Sequence, residues 1–354
     1  MVRTVFVLLF VLLLGRIDVA LAGTQKCRGL ALEGGGDRGA YQAGIINALV
    51  QNLPPEEVAY DVVSGISAGS VNGAVFALYP KGQERNVTDL MTTVWHTLNA
   101  PDIFKNWPLG PIEGLVSESG LVDTTPLREL LENIIGERSY KERDLFFGTN
   151  DINTGVFHSL HNMDLTREEA IDAVLSSSAV PFIFPTIRLN NMVDVDGGTK
   201  LMMSTDPIIT ECRKRGFADE DIIVDAGYCF GYHIPPVEYK DLKTWKMIGR
   251  VMDLFVSTIL PDYIPKLKRT YPNVNFRYFV MPSEEETVPD FPFPLVFIHE
   301  DIEKMLKAGY GRAIEVINAG PGVAFEQMVR DAEKGRSKYN ASESASSPIE
   351  FIFQ

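Results

Sequence analysis

Positive charge, cysteine and histidine are all scarce in this chain of 354 residues, and each shortage removes a class of function. The 33 Lys and Arg are outnumbered by 47 Asp and Glu, a formal net charge of −14. Such a surface repels nucleic acid and anionic headgroups, so no nucleic-acid partner is expected, and membrane contact would rest on apolar surface or neutral headgroups. The same excess also serves plain solubility. Three cysteines, Cys27, Cys212 and Cys229, allow at most one internal bridge and leave at least one thiol free. Cys212 with Cys229 is the expected pair, on short separation alone. The five histidines are His96, His158, His161, His233 and His299. The pair in His158-Ser159-Leu160-His161 has no third ligand at suitable spacing, so neither a metal nor a cofactor is expected.

Long hydrophobic runs are also missing, with one exception. Thr4 to Leu14 is almost unbroken Val, Leu and Phe behind Arg3, and Ala20-Leu21-Ala22 supplies small residues for cleavage. This is the layout of a secretory signal peptide over residues 1–22. A membrane span needs roughly 20 apolar residues, and Arg16 and Asp18 interrupt the run before that. Removing 1–22 takes away Arg3, Arg16 and Asp18, a net of +1, so the mature charge becomes −15. The expected location is outside the cell or in the lumen of the secretory pathway. Asn86-Val87-Thr88 and Asn340-Ala341-Ser342 are then candidate glycosylation acceptors, at Asn86 and Asn340.

What remains is rich enough in apolar residues for a large core. Cys27 to Leu32 reads as a strand and runs into Gly34-Gly35-Gly36, after which Ala40, Ala43, Ile45, Ile46 and Leu49 recur at helical spacing. Tyr60 to Ile66 is a second strand with its own glycine turn, followed by helical spacing through Val71, Val75 and Leu78. Two such units in succession predict a parallel sheet with helices on its faces and active groups at the carboxyl ends of the strands. Further on, the patterns predict a loop over 100–120, a helix over 126–135 and strands over 144–149 and 155–160. They also predict a helix capped by Thr166, strands at 192–195 and 222–224, and helices over 245–260 and 302–317. Residues 335–354, rich in Ser, Glu and Ala, are expected to lack order.

Gly65-Ile66-Ser67-Ala68-Gly69 fits G-x-S-x-G between a strand and a helix. Such a turn exposes the Ser67 hydroxyl and crowds the residues two before and two after it, which favours Gly65 and Gly69. The helix that follows points its positive end at developing negative charge. The loop Gly34-Gly35-Gly36-Asp37-Arg38-Gly39 also opens a helix directly after a strand, so its backbone amides form an anion site. It lacks the Gly-Lys-Ser/Thr of a Walker loop, and beside an elbow serine an oxyanion hole is its better use. A base is still needed. No histidine stands in a triad pattern, whereas Asp196-Gly197-Gly198 follows a predicted strand, and Asp194 is a rival two residues away.

Together, the glycine loop at 34–39, the elbow at 65–69 and the Asp-Gly-Gly at 196–198 resemble, in order and spacing, the signatures of the patatin-like phospholipases. Gly120-Leu121-Val122-Asp123, Thr149-Asn150-Asp151 and Ser176-Ser177-Ser178-Ala179-Val180-Pro181 look similar too, and the resemblance covers about Leu30 to Pro207. It implies a three-layer α/β/α fold with a mainly parallel sheet and a Ser67–Asp196 dyad that hydrolyses phospholipids or other acyl lipids without a metal. The amides around Gly35, Gly36 and Asp37 would hold the oxyanion, with Arg38 fixing the loop. One departure is Ser204-Thr205-Asp206-Pro207, where many members carry Asn-x-Pro, which touches the support of the Asp loop and the level of activity.

The resulting plan is a leader at 1–22, a catalytic domain at 28–207, a helical extension at 208–334 on the same core, and a tail. The partners expected are an acyl-lipid substrate and, transiently, a membrane or micelle surface, with the apolar segments Phe104 to Ile112 and Phe291 to Ile298 as candidate rims. Two other readings stay open: a lipid-binding or storage member of the family, and a Ser-His-Asp hydrolase using His233 or His299.

Overall fold

The computed structural model describes residues 25–231, 262–283 and 297–345, with the single residues 247, 250, 254 and 295. The leader at 1–22, His233, most of the helix expected over 245–260, most of Phe291 to Ile298 and residues 346–354 lie outside the described residues.

The chain begins with β1 (Cys27–Leu32), α1 (Gly39–Asn52), β2 (Val62–Ile66) and α2 (Ala68–Phe76), the two strand–turn–helix units read from the sequence. Four helices follow: α3 (Glu84–Thr97), α4 (Pro111–Val116), α5 (Thr125–Ile135) and, beyond the hairpin of β3 (Asp144–Asp151) and β4 (Phe157–His161), α6 (Arg167–Ser177). Then come β5 (Ile187–Leu189), β6 (Met192–Asp196), α7 (Asp206–Lys214), β7 (Ile222–Gly227) and β8 (Asn275–Val280). Helices α8 (His299–Ala319) and α9 (Val323–Ala345) close the described chain, and α9 extends over part of the segment expected to lack order. Thr166 does cap α6: its side chain accepts from the Glu169 amide while Glu169 accepts from the Thr166 amide at 2.8 Å.

The eight strands form one sheet in the order β5-β6-β3-β2-β1-β7-β8, with β4 on the far edge of β3. Strands β3, β2, β1, β7 and β8 run parallel, and β4, β5 and β6 add antiparallel pairs. Strand alternation sends Leu30, Leu32, Val63, Leu145 and Phe147 to one face, where α1, α2, α6 and α8 cover them. Ala31, Val62, Phe146, Val224 and Ala226 face the other way, against α7 and α9. This is the expected three-layer α/β/α sandwich. Its central strands are apolar almost throughout because both faces are covered.

The disulfide differs from expectation: Cys27 pairs with Cys212, and Cys229 is free and buried. The topology explains why. Helix α7 lies across β1, with Ile208 against Gly29, so Cys212 comes within 5.8 Å, Cα to Cα, of the residue that begins β1. Cys229 lies two residues past β7, at the opposite end of a strand that runs parallel to β1 in register from Cys27↔Ile222 to Leu32↔Gly227. Short separation in sequence carried no information about which end of the sheet each thiol occupies.

Candidate active site

Ser67 occupies a sharp turn between β2 and α2 with φ 53° and ψ −123°, a region that non-glycine residues rarely enter. The flanking glycines are required by close approach. A Cβ on Gly65 would lie 2.2 Å from the Gly69 carbonyl oxygen, and one on Gly69 would lie 2.4 Å from that of Leu32. The turn makes Ser67 the residue that opens α2, so the free amides of the first helical turn gather around it.

Ser177, at the end of α6, pins the turn. Its hydroxyl accepts from the Ser67 amide at 3.0 Å and donates to the Gly148 carbonyl at 2.7 Å. The Ser70 hydroxyl donates to the Gly65 carbonyl at 2.8 Å and lies 2.7 Å from Ser177 Oγ, where either hydroxyl can donate to the other. The elbow is thus tied to both α6 and β3 by groups with no exposure to water.

Asp196 reaches Ser67 because two strands share one edge of β3. Ile66 of β2 pairs with Gly148, the next β3 residue, Thr149, pairs with Asp196 of β6, and β4 occupies the opposite edge. Strand β6 therefore takes up the edge of β3 where β2 turns away, and the two carboxyl ends converge. Burial raises the Asp196 carboxyl to about 6, against a side-chain hydrogen bond with Ser67 and the Gly198 amide at 2.7 Å, both of which favour the charged form. Gly197 is needed for space more than for flexibility, since its Cβ would lie 2.4 Å from the Gly148 carbonyl oxygen. Gly198 supplies the amide that holds the carboxylate.

Asp194 is also buried, and burial raises its carboxyl to about 6. Its neighbours are Asp151, His158 and Thr149, and Ser67 is not among them. The described histidines are engaged elsewhere. His96 bonds Glu303, His161 bonds Asp144 at 2.6 Å, His299 lies 4.0 Å from Glu303, and His158 acts on Asp151 and Asp194.

The glycine loop faces the same point, with a Cβ on Gly34 placed 3.2 Å from the Ser67 Cβ. Its amides divide into two groups. Gly34 donates to the Met202 carbonyl at 3.0 Å, Arg38 to that of Gly35 at 3.1 Å, and Gly39 to those of Gly36 and Asp37, so these three hold the loop's own shape. The amides of Gly35 and Gly36, among the described residues, meet no backbone acceptor. The Asp37 carboxylate accepts from the Phe297 amide at 3.4 Å, and the Arg38 guanidinium stacks 4.4 Å above the Phe230 ring. Thr205, in the departure from Asn-x-Pro, is buried and its amide donates to the Tyr263 hydroxyl at 3.0 Å. Asn86 lies exposed on α3, remote in sequence from all of this, and Asn340 is on α9.

Behind the loop is a buried polar chain that the sequence reading lacks. Trp95 Nε1 donates to Asn72 Oδ1 at 2.8 Å, Asn72 Nδ2 to Gln42 Oε1 at 2.9 Å and to the Gly39 carbonyl at 3.0 Å, and Gln42 Nε2 to the carbonyls of Gly227 at 2.9 Å and Glu33 at 3.2 Å. Glu33, fully buried, accepts from the amides of Cys229 at 2.7 Å and Phe230 at 3.0 Å, and burial pushes its carboxyl up to about 8. Burial, and then the Glu33 charge, push the Cys229 thiol up as well. The visible signal in the sequence is an amide residue set among apolar positions, Gln42 in the helix after the loop and Asn72 in the helix after the elbow.

A curated relative, the cGAMP-activated phospholipase of Escherichia coli (strain TW11681), is 28% identical over 185 residues, which is 47% of this chain and 50% of the relative. The chain thus spans about half the length of that protein. The solved structure of VipD from Legionella pneumophila superposes with a TM-score of 0.39 at 12% identity, over 84% of this chain and 68% of VipD. Residues 30–209, just over half of the chain and every residue of the loop, the elbow and the Asp-Gly-Gly, match the family described as patatin-like phospholipase, to which this chain belongs.

Proposed function

We propose that the chain is a lipid acyl hydrolase of the phospholipase A or lysophospholipase type, cleaving carboxylic esters through a Ser67–Asp196 dyad and an acyl-enzyme. The observation that carries this reading is the meeting of a strained elbow serine with a buried carboxylate of raised pKa. In the first half-reaction Ser67 Oγ attacks the acyl carbonyl carbon while its proton passes to Asp196. The oxyanion forms where the Gly35 and Gly36 amides and the start of α2 converge. Collapse expels the alcohol of the lipid, which takes the proton back from Asp196. Water, deprotonated by the same carboxylate, then attacks the acyl carbon, and collapse releases the fatty acid as Ser67 Oγ leaves and takes that proton back from Asp196. A carboxylate lifted to about 6 is a stronger base than one in water, yet it stays ionised at neutral pH.

A fluorophosphonate probe tests the nucleophile: labelling should fall on Ser67 and vanish in Ser67→Ala, and a wild-type chain that takes no label would leave only a lipid-binding protein. Asp196→Asn should lower turnover on the order of 10³-fold or more while the fold is kept. Substituting His233 and His299 in turn separates the dyad from a triad, since a dyad loses neither labelling nor turnover. We also infer entry into the secretory pathway, supported by the Cys27–Cys212 bridge, which suits an oxidising compartment. A mature protein whose mass retains residues 1–22 would refute that.

A further inference from the structure

Among the described residues the large apolar side chains most open to water are Leu109, Ile112, Leu115, Val116 and Phe182, 74 to 84% exposed, while the next, Ile152, is 52% exposed. The five come from two segments that the backbone joins. Ile112, Leu115 and Val116 stand at i, i+3 and i+4 on α4, on one helical face. The helix packs closely through Gly114, whose Cβ would lie 2.7 Å from the carbonyl oxygens of Gly120 and Leu121. The Leu121 amide in turn donates to the Phe182 carbonyl at 3.0 Å, and Trp107 Nε1 ties the approach to α4 to the Gly120 carbonyl at 3.0 Å. Phe182 is five residues from Ser177, which holds the Ser67 amide, and three from Ala179, whose carbonyl accepts from Asp196 at 2.9 Å.

Phe182 also has φ 70°, the left-handed region in which a bulky residue is a true outlier. Glycine or asparagine would suit that backbone, and an aromatic ring that gains no burial from the fold offsets none of the strain. Two of the charged groups nearby are engaged, Glu113 accepting from the Leu109 amide at 2.8 Å and Lys105 pairing with Asp123 at 3.4 Å, and Glu118 is exposed. No cationic cluster lies between residues 104 and 120, in a chain of net charge −14.

We propose that α4 and Phe182 form the surface by which the protein docks on a lipid–water interface of zwitterionic headgroups, beside the mouth of the site. This rests on the acyl-hydrolase reading for its choice of occupant. Acidic overall and apolar locally, the face gains nothing from an anionic bilayer. Inserted aliphatic and aromatic side chains would instead hold the chain to a neutral one.

Co-sedimentation of the full chain with phosphatidylcholine vesicles tests this, in a Ser67→Ala background so that the vesicles are not consumed. Ile112→Ser with Leu115→Ser, and Phe182→Ser separately, should each lower binding on the order of tenfold, while Val323→Ser, an exposed apolar residue elsewhere, leaves it unchanged. With Ser67 restored, the same variants should keep hydrolysis of a short water-soluble ester and lose hydrolysis of vesicle lipid. Phe182→Gly should raise the melting temperature yet weaken binding, an opposition that a structural role for the ring would not produce. Unchanged binding in the patch variants overturns the proposal, as does tighter binding to phosphatidylglycerol vesicles, or a dimer that the variants dissociate without loss of vesicle binding. Patch-dependent binding with no cleavage of either substrate would keep the docking surface and sink the acyl-hydrolase reading. Cleavage of the soluble ester with no vesicle binding would do the reverse.

Discussion

Glu33→Gln gives a direct measure of how dry the ground beneath the glycine loop is. The Glu33 carboxyl is buried, accepts from the Cys229 and Phe230 amides, and has its other oxygen, Oε1, without a hydrogen-bond partner among the described residues. Gln reproduces the shape and the acceptor of the protonated acid and cannot ionise. In the folded chain the carboxyl titrates near 8, against 4.5 when it is free. Between those values the native state holds a proton that the unfolded chain has released, so stability falls as pH rises. Over about 3.5 pH units at about 1.4 kcal/mol per unit, the wild type should lose roughly 5 kcal/mol that the variant keeps, a large part of a typical folding free energy. The assay is urea unfolding of both proteins, disulfide intact, at intervals from pH 4.5 to 8.5. Other titrating groups act on both alike and cancel in the difference. The two stabilities should agree near pH 4.5 and diverge steadily until pH 8. Curves that stay parallel across this range would refute the buried, neutral Glu33.

The acid limb of kcat/KM on a soluble ester should fall at about 6, tenfold per pH unit below it, because Asp196 must be ionised to take the Ser67 proton. A limb near 4, or one that survives in Asp196→Asn, would assign the base elsewhere. Gly65→Ala would put a methyl 2.2 Å from the Gly69 carbonyl oxygen, so the elbow backbone has to move. We expect a loss on the order of 3 kcal/mol or more in unfolding free energy and no fluorophosphonate labelling of any folded fraction, and an unaltered melt with full labelling would contradict the close approach.

The parts of the site that were legible in the sequence are those where backbone geometry leaves no choice of residue. Gly65 and Gly69 are imposed by carbonyls within van der Waals contact, and the strand and helix patterns on either side place the turn. What was illegible depends on which distant elements meet. The Cys27–Cys212 bridge follows from α7 lying over the start of β1, a fact of topology that spacing along the chain does not encode. Ser177 reads as one of three consecutive serines until the end of α6 is seen against the elbow. Helix α3 does carry a helical-period signal, with Val87, Met91 and Trp95 each four apart and buried. The loop expected over 100–120 holds α4, whose apolar residues face outward, so inward periodicity had nothing to report there.

The separation of Asp194 from Asp196 shows how the fold chooses between two carboxylates that local chemistry leaves nearly equal. Both are buried, both are raised to about 6, and alternation puts them on the same side of β6. They differ in their partners across β3, Asp151 for one and Thr149 for the other. Thr149 is the first β3 residue after the pairing with β2 ends, so only the carboxylate opposite it stands at the carboxyl end of β2, where the elbow carries Ser67. A shift of β6 by two residues along β3 would bring Asp194 to that place and lose the Gly198 amide that holds Asp196. Gly197 fixes the register against such a shift, because its backbone sits where only a residue without a side chain can pass the Gly148 carbonyl. Gly197 thus keeps Asp194 from the elbow by excluding volume, and the strand register it enforces sets Asp196 beside Ser67, the place that the proposed dyad requires of its base.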